Sequence, residues 1–253
     1  MGTEKIYRTE GIILKHLDSG EADRLLTLLT PDHGKIRAIA RGVRRPCSKL
    51  GGHLEPLRRC QLVLARGKTF DRVTQAQLIE VLSPRDLRRV AYAIYLLELV
   101  DAFAVEEGNQ ALYSLLLMTL RELGRTQRVE VVCRYFELQL LGQVGYRPEL
   151  QRCLSCHSAL RPEVNFFSPS GGGVLCPHCR ATEPVAQPLS VDSLKVLRFL
   201  QKSRLPEVSH LRLSEKLLRE LEKLLRGYLR YLLEREIKST DFLDRLKVAS
   251  DLI

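Results

Sequence analysis

Four cysteines between residues 153 and 179 are the residues best able to do chemistry. They form two Cys-x-x-Cys pairs, Cys153 with Cys156 and Cys176 with Cys179, separated by nineteen residues. Two such pairs, each closed by a tight turn, bring four sulfurs to one tetrahedral Zn2+ at about 2.3 Å per bond. Pro162, Pro169, Pro177 and the run Gly171-Gly172-Gly173 supply the turns. Segment 147–185 has too few apolar residues to fold by burial alone, so a structural metal would provide the missing free energy. Four thiolates fill the coordination sphere and leave no open position for catalysis.

Other chemistries compete for these thiols. Cys153-Leu154-Ser155-Cys156-His157 also spells a c-type haem attachment motif, which leaves Cys176 and Cys179 unexplained. A thioredoxin-like pair needs a βαβ setting that the sequence lacks. An iron–sulfur cluster takes the same four thiolates, and spacing alone does not separate it from zinc. His157 and His178 adjoin ligand cysteines, a position from which the ring usually points away. Cys60 and Cys133 lie in apolar stretches and read as core, and Cys47 reads as a bystander among Arg44, Arg45 and Lys49.

A second chemical candidate is the acidic stretch DSGEAD. Asp18, Glu21 and Asp23 would serve a Mg2+-dependent nuclease, but the favoured reading is a strand–turn–strand with solvated acids. Metal sites of that kind draw their ligands from separate rigid elements. No phosphate-cradling glycine loop, nucleophile elbow or His-Glu-x-x-His motif is present. The sequence is read as that of a non-enzyme.

Charge points to a polyanion. The chain has 253 residues and a formal net charge of +10. Between Lys35 and Arg72 stand eleven Lys or Arg against Glu55 and Asp71, so one short stretch holds nearly the whole excess. No apolar run reaches the roughly 18 residues of a membrane span. The opening MGTEKIYRTEGIILKHL lacks a secretory apolar core, and Ile6 stands where a myristoylation motif needs Ser or Thr. A cytoplasmic protein is expected, with reduced thiols that favour metal over disulfide.

The elements that must position these groups fall into two regions, which makes the fold class α+β. TEGIILKHL, DRLLTLLT, GKIRAIARG, QLVLAR and RVTQAQLIEVL are short runs bounded by turn signals. Five strands in about 80 residues predict a small barrel, with the OB-fold leading. Within KIRAIAR, Ile36, Ala38 and Ala40 share the inward face, and Lys35, Arg37 and Arg41 share the outward one. RGVRRPCSKLGG reads as a mobile basic loop. At Ser83-Pro84 the period changes, with Ser83 the expected N-cap of an apolar helix central to a bundle. Gly108, Gly124 and Gly145 read as helix stops. Leu211, Leu218, Leu225 and Leu232 recur every seven residues, which a bundle helix explains more simply than a coiled coil. The resulting division is a DNA-binding barrel over 1–82 and an α-helical domain over 83–253, the latter carrying a four-cysteine zinc insert at 147–185.

The barrel region has only two aromatics, Tyr7 and Phe70. With so few stacking platforms, cations would carry the affinity. Sequence-independent phosphate contacts follow, with steep salt dependence and tolerance of both single and double strands. A zinc-ribbon RNA-binding protein is the alternative within the same chemistry.

EADRLLTLLTPDHGKIRAIARGVRRPCSKLGGHLEP, LARGKTFDRVTQAQLIE and AIYLLELVDAF resemble the N-terminal half of the RecO family of bacterial recombination mediators. The cysteine insert resembles that family's zinc-binding version. The resemblance implies an OB-fold and a helical domain bearing zinc, with no enzymatic activity. It also implies binding of single- and double-stranded DNA, strand annealing, and joint action with RecR to load RecA onto DNA coated by the single-stranded-DNA-binding protein. Carried over, the family's basic surface falls on Lys35, Arg37, Arg41, Arg44 and Arg45, with Lys49 beyond; Cys47 replaces the loop's usual basic residue. The tail of the single-stranded-DNA-binding protein would dock on the helical domain in an apolar groove beside an Arg, with Arg121 and Arg134 the residues considered.

Overall fold

A computed structural model describes residues 6–48 and 50–250, the side chains of 247–250 excepted. Five strands, β1 (Ile6–Ser19), β2 (Asp23–Thr30), β3 (Gly34–Ala40), β4 (Arg58–Ala65) and β5 (Asp71–Val81), close into a barrel in the order β1-β2-β3-β5-β4. All pairings are antiparallel except β3 with β5, which run parallel through Ala38 opposite Asp71 and Ile39 opposite Arg72. This is the OB-fold topology. Alternation places Ile13, Leu26, Leu28, Ala38, Ala40, Leu62 and Leu64 in the interior.

The apolar runs Ile12-Ile13-Leu14 and Leu28-Leu29 are buried on both faces. The reason is that α1 (Leu87–Phe103) and α2 (Gln110–Leu123) pack on the outside of β1 and β2. The α1–α2 connection lies on the β2–β3 turn, where two glycines permit the approach. A Cβ on Gly34 would stand 2.1 Å from the Glu107 carbonyl oxygen, and one on Gly108 would stand 2.4 Å from that of Asp32. Gly108 is therefore a close-contact residue and not the helix stop expected of it; α1 already ends at Phe103. Gly124 does cap α2, and Gly145, at φ +86°, follows the last turn of the next helix.

The helix entry also differs from expectation. Asp86, not Ser83, is the N-cap of α1, its carboxylate accepting the Arg89 N–H at 2.9 Å. The loop after β3 is structured as well. Val43 and Leu54 enter the barrel core, Asp23 Oδ1 accepts the Gly42 N–H at 2.7 Å, and Arg44 N–H donates to the Ala22 carbonyl.

The chain forms two compact units, residues 1–125 with 239–253, and residues 126–238. The helices α1 and α2 thus belong with the barrel, a partition different from the one that ends at residue 82. In the second unit the central helix is α3 (Val129–Gln143), buried from Val129 to Leu141 at nearly every position. Helix α1 is consequently not the centre of a bundle. A three-stranded sheet, order β7-β6-β8, consists of β6 (Asn165–Ser168), β7 (Gly173–Leu175) and β8 (Gln187–Leu189). A 3-10 helix (Pro177–Thr182) lies between β7 and β8. Helices α4 (Val191–Lys202), α5 (Leu205–Val208) and α6 (Glu215–Leu233) pack on α3. Helix α6 buries Leu221, Leu224, Leu225, Tyr228 and Leu229, a bundle stripe, and Leu211 lies outside it, which shortens the apparent heptad run. Helix α7 (Lys238–Ser250) returns to the first unit, where Glu98 of α1 accepts the Ser239 N–H at 2.8 Å. Among the described residues no helix is long and apolar enough to cross a membrane.

Candidate metal centre and nucleic-acid interface

The sulfurs of Cys153, Cys156, Cys176 and Cys179 all lie within 4.8 Å of one another. Those of Cys156 and Cys176 are 3.9 Å apart. Four thiolates at about 2.3 Å from a central ion would stand roughly 3.8 Å apart, so the set fits one tetrahedral metal. Two turns present the pairs. In the first, the Cys153 carbonyl accepts the His157 N–H, with His157 at φ +57°, and the Cys153 N–H donates to the Ser158 carbonyl. In the second, β7 delivers Cys176, whose carbonyl accepts the Cys179 N–H as the 3-10 helix begins.

The site's own electrostatics call for a cation. Hydrogen bonds from the Ser158 hydroxyl and N–H pull the Cys156 thiol down to about 6. At Cys179 the Ser155 hydroxyl also pulls down, but the neighbouring sulfurs prevail and push the thiol up to about 12. Thiolates held this close repel one another, and a positive ion between them would relieve that repulsion. His157 and His178 are exposed and outside the ligand group. Cys60 is buried, and desolvation raises its thiol to about 11; burial likewise raises Cys133. Both are core residues with little thiolate character.

The basic stretch is placed unevenly. Arg37, Arg41 and Arg45 are exposed and form no ion pair with the described residues. Lys35 turns the other way: its Nζ donates to the Asp101 carbonyl at 2.7 Å, and burial lowers its pKa. Arg44 is tied to the β1–β2 turn, Nε 3.5 Å from Asp18 Oδ2 and Nη1 donating to the Gly20 carbonyl. Arg59 bonds Glu10 at 2.6 Å and lies 3.7 Å from Glu80. Lys49 is outside the described residues. The groups that engage Lys35, Arg44 and Arg59 come from outside the basic window, which a count along the chain does not register.

Other candidate residues are engaged too. Asp18 pairs with Arg24 at 2.9 Å and Asp23 holds the Gly42 N–H, so two of the three DSGEAD acids stabilise the barrel's own turns. Among the described residues the only group of metal-ligating side chains is the cysteine set. Arg121 makes a bidentate bond to Glu80, with contacts of 2.9 and 2.6 Å. Arg134 is buried and pairs with Glu137 at 2.7 Å.

A closed five-stranded barrel with exposed cations on β3 and its loop, in a chain that also carries four cysteines able to hold a metal ion, defines an OB-fold protein with an added cysteine module. Models of known families resolve the class further. Residues 3–82 match Recombination protein O N terminal, and residues 84–241 match Recombination protein O C terminal. A DNA repair protein RecO of Dehalococcoides mccartyi is 43% identical over 246 residues, covering 96% of this chain and 97% of that one. One from Roseiflexus is 42% identical over 96% of this chain and 87% of its own, and one from Symbiobacterium thermophilum 36% over 96% and 99%. The chain belongs to the RecO family of DNA repair proteins.

Proposed function

We propose that this chain is a non-enzymatic, cytoplasmic DNA repair mediator. Its barrel binds the phosphodiester backbone of single- and double-stranded DNA without reading sequence, and anneals complementary strands. With RecR it helps load RecA onto DNA coated by the single-stranded-DNA-binding protein. The observation that carries this reading is the set of exposed guanidinium groups at Arg37, Arg41 and Arg45, which form no ion pair with the described residues, in a chain of this family. Annealing requires two polyanions to approach, and fixed cations lower their repulsion without base contacts. Arg44 contributes while held by Asp18, and Lys49, outside the described residues, belongs to the same basic stretch of sequence. Lys35 acts one step back, holding β3 against the end of α1.

In this reading residues 1–82 are the DNA-binding domain, and 83–253 form the helical domain, on which the tail of the single-stranded-DNA-binding protein docks. The insert at 147–185 is held by one structural Zn2+ on Cys153, Cys156, Cys176 and Cys179. The metal shapes the insert and leaves no position for chemistry. The test is annealing of complementary strands pre-coated with the single-stranded-DNA-binding protein, with and without RecR. Faster annealing by the wild type, lost in the Arg37→Glu, Arg41→Glu, Arg45→Glu triple variant, is expected. Equal rates for both proteins would reject the interface.

A further inference from the structure

The two aromatics of the barrel region, 63 positions apart in the chain, line one cleft of about 400 Å3. That size is in the range of small-ligand sites. Its walls come from the start of β1, the start of β3 and the β4–β5 turn. The turn is locked in place by Asp71, whose carboxylate accepts the Tyr7 hydroxyl with one oxygen and the Gly67 N–H, at 3.1 Å, with the other. Gly67 is required there, because a Cβ would stand 1.9 Å from the Phe70 carbonyl oxygen. The Arg66 guanidinium lies 4.9 Å from the Tyr7 ring centroid, and the His33 ring meets Tyr7 edge-on at 4.7 Å. Tyr7 is thereby committed to the wall. Phe70 is not: its half-buried ring lines the cleft beside half-buried Ile36 and enters no ring contact with the described residues.

The rim carries both signs. Arg37 and Arg66 are exposed cations, and Asp32 and Glu106 are exposed carboxylates. Asp71 and Lys35 are already engaged within the walls. A bare phosphate would be repelled by the two free acids. A nucleobase suits the mixture better, since its edge presents donors and acceptors together and its face stacks on an aromatic ring. The attached phosphate then meets the arginines.

We propose that this cleft takes one unpaired nucleotide of a DNA single strand, its base stacked on Phe70 and its phosphate held by Arg37 and Arg66. A base in a duplex is stacked and paired and does not enter. The barrel would therefore add one strand-selective contact to its sequence-independent grip. This inference rests on the proposed DNA-binding role of the barrel and refines it.

The test uses the whole protein with an oligonucleotide of about 20 residues, single-stranded or as a duplex, at about 50 mM salt. Phe70→Leu keeps apolar volume and removes the ring, and Phe70→Ala removes both. Both variants are expected to bind the single strand about tenfold or more weakly, the loss of one stacked base, with duplex affinity unchanged. A strand of abasic residues should bind wild type and Phe70→Leu equally. Equal losses on both DNA forms, or no loss on either, would overturn the cleft while leaving barrel binding intact. A wild type that binds neither form would overturn the DNA reading itself. Far-UV circular dichroism and a thermal melt report whether each variant is folded.

Discussion

The barrel buries Ile13, Leu26, Leu28, Leu62 and Leu64 around a single interior, closed by five hydrogen-bonded strand pairings. The cysteine module buries Leu150, Leu160, Phe167, Val174 and Leu175, and its three strands are four, three and three residues long. Part of that small core is borrowed, since Phe167 packs edge-to-face on Tyr228 of α6 with ring centroids 5.3 Å apart. Burial accounts for the first region, while the second has so small a core that a metal on its four cysteines would supply the closure of its turns. The consequence is a division of labour. Exposed cations such as Arg37 and Arg41 can change without touching the barrel's core, whereas losing any of the four thiols is expected to undo the module.

The largest effect that would break this comparison comes from metal removal. Elemental analysis should find one zinc per chain. A chelator or Cys153→Ser should unfold the module, because structural zinc supplies about 10–16 kcal/mol of apparent binding energy in small sites. Barrel affinity for DNA should survive the loss. Iron in the analysis, or a module that keeps its amide protection without metal, would remove the contrast between the regions.

Next in size is Arg134→Met in the second unit. It leaves Glu137 as a buried carboxylate without its 2.7 Å partner, and a loss of about 3–5 kcal/mol is expected in urea unfolding. No change in midpoint would mean that the pair is dispensable. For the barrel, replacing Arg37, Arg41 and Arg45 together by Ala should flatten the log–log salt slope of DNA binding by about three and leave the melting temperature unchanged. A preserved slope would move the interface elsewhere. The smallest effect is expected from Asp86→Ala, which removes the cap of α1 and should cost about 1 kcal/mol. A null result there would show that packing on the barrel alone sets that helix end.

Much of the molecule is legible along the chain because it is local. The alternation in KIRAIAR places Ala38 and Ala40 inside, where the barrel holds them, and β2 begins and ends where its turn signals stand. The spacing of Cys153, Cys156, Cys176 and Cys179 anticipates the cluster because a Cys-x-x-Cys turn is itself a local structure. Less legible are the basic residues. Lys35 and Arg37 look equivalent in sequence, two positions apart on one strand face, yet one donates to the end of α1 and the other is exposed, with no ion pair among the described residues. Helix α1 is apolar nearly all round because it is covered by the barrel and α2, a cause that periodicity does not distinguish from a bundle centre.

Sequence by itself determined the five strands of the barrel, the inward face of β3 at Ala38 and Ala40, the grouping of the four cysteines and the surplus of positive charge, since all four depend on residue type and short spacing. Tertiary structure alone decided which cations are engaged by partners 26 to 66 positions away, and that Tyr7 and Phe70 share one cleft. Coulomb attraction and stacking act across a few ångströms of space, and chain closure brings together groups whose separation in sequence carries no record of that distance.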